Sequence, residues 1–107
     1  MGQGGVRALA AAAHLAVLVS YPGLVASGAL ALYGRARGLT FLADQGAEAF
    51  VYQAAVAATL GALDLVGAQA LLGGAAVGAL HLAAMAYGAF GAFSALDGRR
   101  FRYLGRR

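Results

Sequence analysis

The chain has 107 residues, of which 62% are hydrophobic and 11% charged, and its formal net charge is +4. A soluble domain averages about 45–50% apolar and about 25% charged residues, and a chain this short cannot hide so much apolar surface in a water-soluble core. The composition points to one integral membrane domain and against a soluble bundle. Every basic side chain is an arginine, at positions 7, 35, 37, 99, 100, 102, 106 and 107, so the charge lies at the chain ends and one connector. Such clusters are expected to set membrane topology and to touch anionic lipid. They do not form the basic surface with interleaved aromatics that nucleic-acid binding needs, and no nucleic-acid partner is expected. The chain has no cysteine, which excludes disulfides, thiol redox chemistry and Cys-ligated metal.

Residues 6–33 are apolar apart from Arg7, His14, Ser20 and Ser27. As one helix they would measure about 40 Å, more than the roughly 30 Å hydrocarbon core requires. Pro22-Gly23 interrupts this run, and proline removes a backbone donor, so a kink or turn is expected there. Two topologies follow, one kinked span or a hairpin of two short helices over about 6–20 and 24–33. The hairpin puts all eight arginines on one side, which the positive-inside rule favours. Residues 34–38, with Arg35 and Arg37, form a cytoplasmic connector. A third helix is expected over about 39–65, with Thr40 as N-cap and Asp44 and Glu48 near the positive end of its dipole. A fourth is expected over about 68–96, closed by Gly98 as C-cap and followed by a basic cytoplasmic tail over 97–107. The expected fold is an all-α integral membrane bundle of three to four helical segments, one domain over 1–107. The first apolar run lacks a persuasive signal-peptide cleavage site, and Val6 breaks the myristoylation pattern.

Few side chains offer chemistry. At about 100° per residue, Asp44, Gln45, Glu48, Tyr52 and Thr59 share one third of the third helix, a polar stripe entering the membrane from its surface. Arg7, His14 and Tyr21, spaced by seven, read as the facing seam, and His14 is within reach of Glu48 in such a bundle. An intramembrane ionisable group raises proton or ion handling, but no further titratable group extends the pair through the membrane. In the fourth helix Gly74, Gly78, His81, Met85 and Gly88 form a stripe of small residues with one histidine in it. It reads as a close helix–helix interface, with Gly74 and Gly78 a GxxxG match. The alternative is His81 as an axial ligand to haem or chlorophyll, with the glycines admitting a flat macrocycle. No cofactor follows from the sequence otherwise. No nucleophile elbow or phosphate-binding loop is present, and no enzyme activity is expected.

The order of motifs resembles a family of small bacterial membrane proteins of unknown function, related to the Tic import-channel subunits of chloroplasts. The resemblance rests on Ala13-His14-Leu15, the basic connector, the segment from Phe41 to Gln53 with its Asp44-Gln45-Gly46 and Glu48-Ala49, and the tail from Leu96 to Tyr103. Val51 and Leu104 depart from the family's Asn and Pro. The resemblance implies a short first hairpin with its amino end inside and no assigned activity. The expected protein is a non-enzymatic accessory or structural subunit of a larger respiratory or photosynthetic complex. It would lie in the bacterial cytoplasmic membrane as a multi-pass protein, with its C-terminus in the cytoplasm. Its partners would be lipids and other membrane subunits. Arg35, Arg37, Arg99, Arg100 and Arg102 would meet the membrane surface. The alternatives are a Tic-like pore lined by Glu48 and a pigment- or haem-binding subunit through His81.

Overall fold

The computed structural model describes residues 2–16, 20–67 and 73–103. Among these residues all regular structure is helical: α1 Gln3–Leu15, α2 Ser20–Ala36, α3 Thr40–Leu65 and α4 Gly74–Leu96. The break in the first apolar run falls between α1 and α2, ahead of Pro22-Gly23 and not at that pair. Pro22 is the third residue of α2. The first four N–H groups of a helix have no intrahelical acceptor, so a proline there forfeits no hydrogen bond. It starts the second helix. Thr40 is likewise the first helical residue and not the cap, a position held by Leu39 without a side-chain cap bond.

Glycines end two helices by the same device. Gly38 (φ 68°) follows α2, and Leu39 N–H reaches the Gly34 carbonyl at 2.8 Å. Gly98 (φ 75°) follows α4, and Arg99 N–H reaches the Ser94 carbonyl at 2.9 Å. Both are left-handed caps in which glycine carries the positive φ and late carbonyls of the helix find donors.

α2 and α3 are antiparallel and touch backbone to backbone. A Cβ on Gly46 would lie 2.8 Å from the Ala31 nitrogen, and one on Gly34 2.6 Å from the Ala43 nitrogen. Nothing larger than glycine fits at either position while the helices stay this close. α1 runs parallel to α3 and antiparallel to α4, with Gly91 facing His14 and Gly98 facing Arg7. The amino end of α1, the α2–α3 connector and the carboxyl end of α4 therefore share one end of the molecule, and Arg7, Arg35, Arg37, Arg99, Arg100 and Arg102 share it with them. α1 and α2, at about 20 and 25 Å, fall short of α3 and α4 at about 39 and 35 Å. The last turns of α3 and the first turns of α4 carry the least cover, in a molecule 49 Å long.

The polarity of the bundle is inverted. Its buried apolar cluster is small, chiefly Ala10, Ala11, Leu42, Ala92 and Ala95. The largest fully buried side chains are Leu42, His14, Gln45 and Ser27, three of the four polar. Leu65, Val25, Phe93, Leu82 and Phe90 are exposed, Leu65 at 89%. Among the described residues, α3 and α4 are the two helices long and apolar enough to cross a membrane.

Candidate functional site

At the arginine end the chain after α4 turns back and inserts into the mouth of the bundle. Tyr103 is the deepest part of this return, 3% exposed. Its hydroxyl lies 2.6 Å from His14 Nδ1, and His14 Nε2 lies 2.9 Å from Gln45 Oε1. The amide of Gln45 is oriented by three further bonds. Its Nε2 donates to Asp44 (2.9 Å) and to the Phe101 carbonyl (3.3 Å), and its Oε1 accepts from Phe101 N–H (3.1 Å). The oxygen facing His14 requires a proton on Nε2, which leaves Nδ1 to accept from Tyr103. One neutral tautomer of His14 satisfies both partners.

Charge holds the same return segment. Asp44 and Glu48, four residues apart on α3, repel each other as neighbouring carboxylates. The guanidinium of Arg102 spans them, 2.7 Å from Asp44 Oδ1 and 3.4 Å from Glu48 Oε2. Arg100 takes the other Asp44 oxygen at 3.1 Å, and Tyr103 N–H donates to Glu48 Oε1 at 2.9 Å. The bond to Asp44 pushes the Arg102 pKa further above its ordinary value, which keeps the cation charged. Burial, with Tyr52, Glu48 and Tyr87 nearby, pushes the Tyr103 phenol well above its ordinary range.

Aromatic rings close the mouth. Tyr103 stacks on Tyr52 with centroids 3.8 Å apart and planes 3° from parallel, and it meets Tyr87 and Phe101 edge-on at 5.1 and 4.7 Å. Tyr52 donates to the Ala84 carbonyl at 2.7 Å, which ties α3 to α4. Gly91 makes room for the centre, since a Cβ there would fall 2.9 Å from both His14 Nδ1 and the Tyr103 hydroxyl. Deeper in the bundle, Gln53 donates to the Ala13 carbonyl at 2.8 Å and accepts from Ser27 at 3.2 Å, joining α1, α2 and α3.

The structure thus brings His14, Asp44, Gln45, Glu48 and Tyr52 to one junction. His14 meets Gln45 and Tyr103 in place of Glu48, whose oxygens face the tail. Tyr21 is 64% exposed and outside the seam, because the α1–α2 break interrupts the helical phase that aligned it with Arg7 and His14. Thr59 turns back to the Ala55 carbonyl on the exposed side of α3.

His81 is half-buried and lines a niche of about 40 Å³ with Gln53, Val56, Ala57, Leu60 and Met85. Pairing it with His14 around one haem iron is not available, because both nitrogens of His14 are engaged. Gly74 and Gly78 have open space around them, Met85 is half-buried and Gly88 is buried. The tight glycine crossing within the chain is the one between α2 and α3. Among the surface arginines, Arg35 and Arg37 are exposed with Arg37 over the Tyr33 ring, and Arg99 pairs with Asp97. Arg100 and Arg102 face the acidic pair. Tyr87 and Gly91 carry no signal in the sequence, and Gln53, Phe101 and Tyr103 enter there only as members of the segments that carry the resemblance, with no role in the site. The available signal was the alternation of Arg100-Phe101-Arg102-Tyr103 beside an acidic pair at i, i+4.

The site is a polar junction sealed by aromatic rings. Among the described residues no group of three or more potential metal ligands occurs, and no buried side-chain nitrogen or oxygen lacks a hydrogen-bond partner. Comparison with family models, with characterised proteins and with solved structures finds no match to this chain.

Proposed function

We propose that the chain is a small multi-pass membrane protein acting without catalysis, as an accessory or structural subunit docked on a larger membrane assembly. The observation that carries this reading is the inverted polarity: buried His14, Ser27, Gln45, Glu48 and Gln53 inside, leucine, valine and phenylalanine outside. In water that surface would drive aggregation; in lipid it is the stable arrangement. The buried polar groups are occupied with one another, which supports a structural use. Gly74 and Gly78 leave a smooth face on the uncovered part of α4, suited to close approach by a helix of another chain. The gathering of arginines supports a cytoplasmic location for that end. The resemblance described above favours a bacterial cytoplasmic membrane, where a respiratory or photosynthetic complex is a natural host. A pore along the Glu48 stripe has less support, because the tail fills the mouth and α3 is apolar beyond Gln53 apart from Thr59 and Asp64.

Purification from native membranes in mild detergent, with identification of every co-migrating chain, tests the reading. One or more larger membrane subunits are expected at fixed stoichiometry, and Gly78→Leu is expected to lose them without lowering the melting temperature of the isolated protein. A lone monomer from gently solubilised membranes would overturn it.

A further inference from the structure

A second site lies at the arginine end, beside the first turns of α1. It is an open cleft of about 370 Å³ between α1, the start of α3 and the end of α4. Val6, Leu39 and Phe41 form an apolar wall, and Arg7 and Thr40 supply polar groups. Arg7 is half-buried, yet among the described residues no carboxylate lies within salt-bridge distance of it. Its position is built. Cζ, Nε and one terminal nitrogen all lie 2.7 Å from the point a Gly98 Cβ would occupy, so the guanidinium lies face-on against that glycine. With the face covered, the in-plane N–H donors remain for a ligand, and a planar fork of donors matches phosphate oxygens. Among the described tail residues, by contrast, Arg99, Arg100 and Arg102 all pair with carboxylates.

We infer that this cleft binds the phosphodiester headgroup of an anionic phospholipid, with Arg7 on the phosphate and an acyl chain along Val6, Leu39 and Phe41. The inference rests on the membrane reading above. The combination of one uncompensated cation with an adjoining apolar wall fits an amphiphilic anion. A small inorganic anion would leave the wall unused, and a neutral lipid would leave Arg7 without a net counter-charge. The cleft lies among the arginine clusters at the end where the membrane surface meets the bundle, which is where a headgroup would stand.

Native mass spectrometry of the detergent-solubilised full chain, titrated with dioleoylphosphatidylglycerol, dioleoylphosphatidylcholine or inorganic phosphate, tests this. One phosphatidylglycerol is expected to be retained in preference to phosphatidylcholine, with no comparable retention of inorganic phosphate. Arg7→Gln is expected to weaken that retention about tenfold, the scale of one charge-assisted hydrogen bond. Val6→Ser keeps every charge and every glycine cap but removes part of the apolar wall that the acyl chain would follow, and it is expected to weaken retention by a smaller factor. Circular dichroism checks that each variant keeps its helices. Equal retention of the two lipids, equal binding of inorganic phosphate, or undiminished retention by both folded variants would overturn the lipid site. Alkaline extraction of the host membranes separates the two failures. Protein that stays in the membrane pellet but shows no lipid preference refutes the site alone, and protein released as a soluble species refutes the membrane reading and the site together.

Discussion

Arg102 stands between two carboxylates of the same helix face, and the cost of losing it differs from the cost of losing either acid. In Glu48→Gln, the amide oxygen can still accept from Tyr103 N–H, and Arg102 keeps Asp44. In Arg102→Gln, the ion pairs to both Asp44 and the 5%-exposed Glu48 are lost at once. The arginine variant is expected to be less stable by about 3 kcal/mol and the glutamate variant by about 1 kcal/mol, read by thermal or SDS unfolding. A larger loss for Glu48→Gln would contradict the assigned geometry. Tyr103 carries a pH dependence with a definite sign. Its pKa is raised in the folded state, so the phenol's contribution is fully present below the ordinary tyrosine pKa of about 10 and declines above it, as the unfolded chain ionises first. Stability is expected to fall above that pH, and Tyr103→Phe to remove part of the slope. Asp44, Gln45 and Glu48 were legible as one polar stripe because helical periodicity is local, and His14 as part of a seam on another helix. Their partner Tyr103 was not, since it lies 89 residues from His14 and no period connects them.

At the level of elements, two helix features yield opposite expectations from similar residues. Gly46 lies against the α2 backbone, and Gly46→Ala is expected to destabilise by about 2 kcal/mol through overpacking. Gly78 meets open space, and Gly78→Ala is expected to stabilise the isolated protein by about 0.5–1 kcal/mol through helix propensity. Unfolding titrations of both variants decide it; a neutral Gly46→Ala would mean the two helices can separate at no cost. Pro22 offers a related check. In the first turn of α2 it strains nothing, so Pro22→Ala should shift stability by less than about 1 kcal/mol, whereas relief of an interior proline would gain about 3 kcal/mol. The sequence marks both glycine-rich helices equally, because small residues make any helix face approachable. Which face is approached depends on where the neighbouring helix runs.

For the molecule as a whole, the arrangement predicts sidedness. The chain has no cysteine, so single cysteines report cleanly. Arg37→Cys and Arg99→Cys are expected to react with an impermeant maleimide from the same side of the membrane, and Leu65→Cys from the other. Labelling of positions 37 and 99 from opposite sides would contradict the shared end. The short α1 and α2 against the longer α3 and α4 also explain why the bundle is solid at the arginine end and thin at the other.

The sequence by itself determined the elements and the apolar character on which the membrane reading rests. Its apolar fraction, the arginine spacing, the four helical segments and the polar phase of α3 follow from composition and local periodicity. The tertiary structure decided three things. Pro22 stands in the first turn of a helix, where its missing N–H costs nothing. The close glycine crossing joins α2 to α3 because their connector is short and both present glycine to the other's backbone. The basic tail returns into the bundle because Asp44 and Glu48 present paired carboxylates at its mouth, and a buried imidazole there needs a donor that only a distant part of the chain supplies.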